Sequence, residues 1–170
     1  MKIVLKIASA LTWFNIVFWG LLVAMFLIFA LQLANLPILA VVVLLSAIPL
    51  NCYAALRLQA CIRNPQLRLS HQTPAGIRFV GFIALFFGIC MLFSGLSMIH
   101  DPKTALNSWT EQMDQMPEMA RQYPYKNLGE AYFVRVGIAA LTLGLFISLN
   151  VILNLRLLRW YYLAKKSDLS

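Results

Sequence analysis

Residues 79–99 read FVGFIALFFGICMLFSGLSMI and contain no charged side chain. An α-helix rises about 1.5 Å per residue, so a helix of this length can cross the roughly 30 Å hydrocarbon core of a bilayer. Because lipid offers the backbone no hydrogen-bond partners, a spanning segment must satisfy its own amides, as a helix does. The stretch therefore predicts a transmembrane helix.

Three further segments, 7–33, 38–56 and 132–153, are apolar in the same way, and only Arg135 brings a charge into them. Of the 170 residues, 61% are hydrophobic and 12% are charged, whereas soluble domains carry about 25% charged residues. We therefore predict an all-α polytopic membrane protein. The expected fold is a four-transmembrane-helix bundle that forms one membrane domain over 1–170, with loops at 57–78 and 100–131.

The basic residues are divided unequally between the two sides of this predicted bundle. Ten of the 14 fall in the two tails and the 57–78 loop, while five of the six acidic residues fall on the other side. Because basic loops stay in the cytoplasm, we expect both termini and the 57–78 loop to be cytoplasmic. The net charge of +8 then predicts contact with anionic lipid headgroups and no nucleic-acid partner.

Two pairs of similar segments predict an internal repeat. Residues 14–20 (FNIVFWG) resemble 82–88 (FIALFFG), and residues 51–58 (NCYAALRL) resemble 150–157 (NVILNLRL). The members of each pair fall in corresponding helices, so the pattern predicts two helical hairpins related by an axis along the membrane normal. Chance similarity in so apolar a chain is the alternative.

Glycines recur every seven residues in the third and fourth predicted spans. Small residues let helix backbones approach closely in lipid, and a seven-residue period is typical of a left-handed crossing. We predict that the two glycine faces meet within one molecule, because the 100–131 loop tethers the helices. Contact with a second subunit is the alternative. The proposed packing residues are Gly81, Gly88, Gly95, Gly137 and Gly144.

The 100–131 loop contains an amphipathic pattern. Asp101 is a favourable cap and Pro102 a favourable first helical residue, and Leu106, Trp109, Met113 and Met116 then form one apolar face. Met113, Met116 and Met119 are also similar to the methionine motifs of copper-uptake proteins, because thioethers select Cu(I). The alternative is an apolar face that packs on the membrane or a partner.

Side chains that usually perform chemistry are scarce in the predicted spans. These contain no Asp, Glu, Lys or His, and the only histidines, His71 and His100, are expected on opposite sides of the membrane. Transport coupled to protons normally uses such groups. We therefore predict no catalytic residue and no cofactor, and we expect Asn51 and Asn150 to form hydrogen bonds between helices.

The basic loop and its flanks read LRLQACIRNPQLRLSHQTPAGIRFVGF over residues 56–82. With two hairpins around it, this layout resembles small four-helix bacterial inner-membrane proteins of unknown function. The topology also resembles membrane immunity proteins against pore-forming toxins. These resemblances imply a bacterial inner-membrane location. The expected function is a non-enzymatic accessory or binding subunit that holds a partner membrane protein or a second copy of itself. The alternative is a small carrier or copper-handling protein.

Overall fold

A computed structural model describes residues 2–33, 36–64, 66–67, 69–70, 72–114 and 128–167 of the chain. These residues form five α-helices: α1 (Lys2–Leu33), α2 (Leu36–Arg63), α3 (Gln72–His100), α4 (Pro102–Asp114) and α5 (Glu130–Ser167).

Four of these helices, α1, α2, α3 and α5, are long and apolar enough to cross a membrane. The predicted fold class, an all-α membrane protein with four spanning helices, is therefore confirmed. Each helix extends beyond the apolar run that predicted it. The reason is physical, because hydropathy marks the part of a helix that matches the hydrocarbon core, whereas backbone hydrogen bonding continues into the headgroup region.

The longest extension is in α5, which continues from 153 to Ser167, and two others lie on either side of the basic loop. We expected a loop over residues 57–78, but α2 continues to Arg63 and α3 begins at Gln72. The basic residues in this region resemble loop residues, so the helix was not predicted there. A long basic side chain near the end of a span can reach the membrane surface while the backbone stays helical. This difference places Gln59 inside α2.

The chain divides into two compact units. Unit 1 comprises Met1–Phe87 and Phe146–Ser170, and unit 2 comprises Gly88–Leu145. Both α3 and α5 contribute residues to each unit, because the boundary falls within them.

Unit 1 packs parts of all four long helices around one apolar cluster. Its fully buried members are Ala8 of α1, Leu58 of α2, Ile77 of α3, and Leu157 and Leu158 of α5. In lipid the hydrophobic effect contributes little to helix association, so such contacts stabilise the bundle mainly through van der Waals packing. Unit 1 is therefore a four-helix bundle.

Positions that correspond in the two halves of the predicted repeat pack near each other in unit 1. The Trp19 and Phe87 rings meet edge to face with centroids 6.2 Å apart. Leu58 and Leu157 share the buried apolar cluster. These are packing contacts within the bundle, and the repeat and its axis stay a prediction.

Unit 2 contains the end of α3, all of α4 and the start of α5. The predicted cap of α4 is confirmed, because the Thr104 backbone amide donates to Asp101 Oδ1 at 3.1 Å. The Thr104 hydroxyl donates to Asp101 Oδ2 at 2.7 Å. These bonds hold the pKa of the Asp101 carboxyl below its ordinary value, first through the Thr104 hydroxyl and then through the Thr104 amide.

Candidate functional site

A cluster of neutral polar side chains lies inside the bundle of unit 1. Its members come from α1, α2 and α5, and all of them are buried almost completely. Neutral amides and hydroxyls can form hydrogen bonds inside a bilayer without the desolvation cost of a charge. We call the following residues the buried polar cluster: Thr12, Gln59, Asn150 and Asn154.

Asn154 fixes the direction of the hydrogen bonds in this cluster. Its Nδ2 lies 2.8 Å from the backbone carbonyl of Asn150, which can only accept, so the nitrogen must face that carbonyl. The same Nδ2 donates to Asn150 Oδ1 at 2.9 Å, and Asn154 Oδ1 accepts from Gln59 Nε2 at 2.9 Å. The Asn150 carbonyl therefore determines the amide orientation of Asn154, and through it those of Asn150 and Gln59.

Thr12 joins α1 to this chain of bonds. Its Oγ1 lies 2.7 Å from both the Ala8 carbonyl and Asn150 Oδ1, and its single proton can be donated to only one of them at a time. The same oxygen accepts from Gln59 Nε2 at 3.1 Å. Thr12 is therefore the point at which hydrogen bonds from α1, α2 and α5 meet.

Several buried polar atoms of unit 1 have no hydrogen-bond partner among the described residues. They include Asn51 Oδ1 and Gln59 Oε1. A methyl group added at Gly81 would lie 3.0 Å from Asn51 Oδ1 and 3.5 Å from a Val151 methyl. Gly81 therefore makes room for the Asn51 amide between α2, α3 and α5.

Sequence reasoning identified only part of this cluster. Asn150 bonds to Thr12 on α1, and its Nδ2 lies 3.4 Å from Cys52 Sγ on α2, so its predicted interhelical bonding is confirmed. Thr12, Gln59 and Asn154 were missed. The four-residue spacing of Asn150 and Asn154 was the available signal, because it puts both amides on one helix face.

In unit 2, the structure brings four of the predicted packing glycines together. A methyl group added at Gly144 would lie 2.7 Å from the Gly88 carbonyl oxygen, and one at Gly95 would lie 2.7 Å from that of Gly137. Real side-chain carbons essentially never approach a backbone oxygen so closely. The backbones of α3 and α5 are therefore in direct contact at these positions. Gly81, the fifth predicted packing residue, contacts Asn51 and Val151 in unit 1 instead.

One outward face of α3 carries a row of phenylalanines. Phe79, Phe82 and Phe86 of unit 1 are 72%, 69% and 63% exposed, and we call these three residues the phenylalanine stripe. The three-four spacing continues along α3 through Ile89, Phe93 and Leu96, which are also exposed. The exposed face of α1 has comparable spacing but is mostly aliphatic, as at Val17, Leu21 and Ile28.

The methionine run lies largely beyond the part of the chain that the structure describes. Met116 and Met119 fall outside the described residues, and only the backbone of Met113 is described, at the end of α4. Copper binding therefore stays a prediction. Within the described ranges, no three His, Cys, Asp or Glu side chains are grouped so that they could bind a metal ion.

These observations define the class: a membrane protein of four spanning helices, with a buried cluster of neutral polar groups and an exposed aromatic face on α3. The chain matches no protein-family model, no curated protein and no solved structure.

Proposed function

We propose that this protein is a non-enzymatic membrane accessory subunit that binds a partner membrane protein through the phenylalanine stripe. The observation that carries the proposal is the outward position of Phe79, Phe82 and Phe86 on one face of α3. Aromatic side chains are enriched at the centres of protein interfaces. Their three-four spacing is also the spacing at which one helix packs against another.

The occupant that fits this face is one transmembrane helix bearing small residues at similar spacing. Large rings allow close packing only where the opposing helix is narrow, as it is with Gly, Ala or Ser. The glycines of α3 and α5 in unit 2 are already packed against each other, because Gly88 contacts Gly144 and Gly95 contacts Gly137. A second copy could not use these glycines against the stripe, and we propose a partner of a different sequence.

The packing of α3 supports a binding role because it would present the stripe on a rigid helix. In unit 1, α3 contributes Ile77 to the buried apolar cluster, and Gly81 lies against Asn51 and Val151. Preorganised surfaces lose less conformational entropy on binding. An immunity-type protein is one specific case, in which the bound helix would belong to a pore-forming toxin.

The outer loop is the second part of the proposal. Its described portion, α4, is amphipathic and leaves Trp109 exposed. Tryptophan is common both at membrane surfaces and in binding hot spots. We propose that α4 rests on the bilayer surface and contacts the extramembrane part of the partner.

We also propose a bacterial inner membrane as the location, with both termini in the cytoplasm, on the strength of the basic residues in the tails and the loop between α2 and α3. In a variant lacking Cys52, Cys61 and Cys90, a membrane-impermeant thiol reagent applied to intact spheroplasts should label Ser108→Cys. Ser70→Cys should be labelled only after the membrane is opened. Labelling in the opposite order would reverse the orientation.

Photo-crosslinking in native membranes tests the binding proposal. A photoreactive phenylalanine is placed at Phe82 on the stripe and, as a control, at Leu21 on the exposed aliphatic face of α1. We expect Phe82 to give a protein adduct whose crosslinked peptide is a transmembrane segment containing small residues. Leu21 should give lipid adducts.

Two outcomes would contradict this proposal. Lipid adducts alone at both positions would show that the stripe faces the bilayer. A crosslink between two copies of the chain would show that the stripe forms a homo-oligomer, so the proposal of a different partner would be wrong.

A further inference from the structure

A cavity of about 520 Å³ opens in unit 1 between the last part of α2 and the beginning of α3. This volume lies in the range of small-molecule sites. Its lining includes Tyr53, Arg57 and Cys61 of α2, together with Ser70 and Thr73. Leu67 and Leu69 of the connecting segment also line it. The cavity thus combines a cation and hydroxyl groups with an apolar wall.

Arg57 is held in this cavity by Tyr53. The guanidinium donates from Nη2 to the Tyr53 hydroxyl at 3.0 Å and from Nε at 3.3 Å, and its carbon lies 5.5 Å from the centre of the Tyr53 ring. A guanidinium has five N–H donors in one plane. Tyr53 thus holds the Arg57 guanidinium in place. The remaining N–H groups of the guanidinium can donate to the oxygens of a phosphate.

The described part of unit 1 has no carboxylate to neutralise this arginine. The first acidic residue of the chain is Asp101, which belongs to unit 2. The one acidic residue of unit 1, Asp168, lies outside the described residues. Unit 1 thus carries ten basic residues and one acid, so an external anion is the natural counter-charge for Arg57.

Arg57 lies near the Arg63 end of α2, within side-chain reach of lipid phosphates if that end of the helix is at a bilayer surface. Arg57 is six residues from the end of the helix at Arg63, which is about 9 Å along the axis. The headgroup region occupies roughly 5–8 Å on each side of a bilayer. With α2 spanning a bilayer, an arginine at this distance from the helix end would reach the phosphates with its long side chain, and Tyr53, one turn further from that end, would lie toward the acyl chains.

We propose that this cavity binds a phosphate group, which Arg57 contacts and which the Ser70 and Thr73 hydroxyls can also reach. The chemistry fits a phosphate ester of an anionic lipid headgroup, with the glycerol and upper acyl chain on the Tyr53 and Ala54 side of the cavity. A soluble phosphate shares the recognised group, and the experiment below separates the two sources.

Lipid binding is measured by native mass spectrometry and by thermal unfolding of the full chain in mild detergent. Phosphatidylglycerol and phosphatidylcholine are compared, with inorganic phosphate and glycerol 3-phosphate as soluble competitors. We expect tighter binding of phosphatidylglycerol, and Arg57→Gln should weaken it by roughly tenfold or more. Arg156→Gln is the matched control, because it removes the same charge while Arg156 lies on the Trp160 ring instead.

Tyr53→Phe keeps the ring and removes the hydroxyl that fixes Arg57, so it should weaken binding several-fold and retain the fold. It therefore tests the cavity even if Arg57→Gln fails to fold. Displacement of lipid by inorganic phosphate would assign the site to soluble phosphate, whereas no displacement assigns it to a headgroup. Equal affinity for both lipids, an equal loss from Arg57→Gln and Arg156→Gln, or unchanged binding by Tyr53→Phe would overturn the proposal.

Discussion

Thr12 is the residue on which the buried polar cluster most depends, because three helices bond to its hydroxyl or through it. Thr12→Val preserves the shape of the side chain and removes these bonds, leaving Gln59 Nε2 bonded only to Asn154. Single hydrogen bonds between membrane helices contribute about 0.6 kcal/mol on average. Because the Thr12 hydroxyl both donates and accepts, we expect Thr12→Val to lower the free energy of unfolding by roughly 1–2 kcal/mol.

The control for Thr12→Val is Thr142→Val. Thr142 is exposed and bonds to the Ile138 carbonyl of its own helix at 2.9 Å, so its loss should change stability by less than about 0.5 kcal/mol. Unfolding in a denaturing detergent measures both variants. Equal losses from the two substitutions would mean that Thr12 contributes only its bond within α1.

Substitution of Gly144 tests the close contact between the backbones of α3 and α5. Its added methyl group would lie 2.7 Å from the Gly88 carbonyl oxygen, so Gly144→Ala must push the backbones of α3 and α5 apart. We expect a loss of roughly 1–3 kcal/mol in the free energy of unfolding. Thermal unfolding in detergent gives the comparison with the control below.

Gly20→Ala is the matched control, because nothing lies within 4 Å of a methyl group added at Gly20. Alanine favours the helix by up to about 1 kcal/mol over glycine, so this variant should be as stable as the parent or more stable. If Gly144→Ala behaved like Gly20→Ala, close contact between the two backbones would be refuted.

At the level of elements, α4 depends on the ionised form of Asp101. Hydrogen bonds from Thr104 hold its pKa below the ordinary value near 3.8, so ionisation stabilises the helix. This contribution is complete above the ordinary pKa and is lost as the pH falls through the lowered pKa. NMR should therefore show Asp101 titrating below 3.8, with the helical signals of α4 weakening in the same range.

Asp101→Asn should retain the capped helix at every pH, since an asparagine oxygen also caps well, whereas Asp101→Ala should weaken α4 even at neutral pH. A titration of Asp101 at or above its ordinary pKa would show that Thr104 does not stabilise the carboxylate.

The elements differ in how far the sequence could predict them. The four spans follow from apolar runs, and α4 follows from Asp101 and Pro102, because each of these signals is local. The end of α2 could not be predicted in the same way, since Arg57 and Arg63 look like loop residues although the helix continues through them. The prediction therefore placed Gln59 in a loop and missed its bonds to Thr12 and Asn154.

The candidate site was less predictable than the fold because its partners are distant in sequence. Thr12 and Asn150 are separated by 138 positions, and no spacing rule links them. Asn51 and Asn150 were noticed because an amide is rare in an apolar span. The phenylalanine stripe could be read as a row, but only the packing of α3 shows that Gly81 is buried while Phe79 and Phe82 point outward.

Across the whole molecule, different surfaces have different roles. Buried polar groups hold the helices together by hydrogen bonds, and the glycines allow their backbones to pack closely. The phenylalanine stripe is proposed to bind a partner helix, and the Arg57 cavity a phosphate. Because these surfaces involve different residues, the binding of protein and of lipid should be lost independently in the corresponding variants.

The most direct test of the binding role is the native mass of the protein extracted from its own membrane in polymer-bounded lipid discs. We predict a complex heavier than the 19.2 kDa chain by the mass of a partner with a different sequence. A variant with Phe79, Phe82 and Phe86 changed to Ala should run as the 19.2 kDa chain alone, with an unchanged melting temperature. The control with Val17, Leu21 and Ile28 changed to Ala should keep the partner. A parent protein that is already monomeric, or a stripe variant that retains its partner, would show that the phenylalanine stripe does not bind a partner helix.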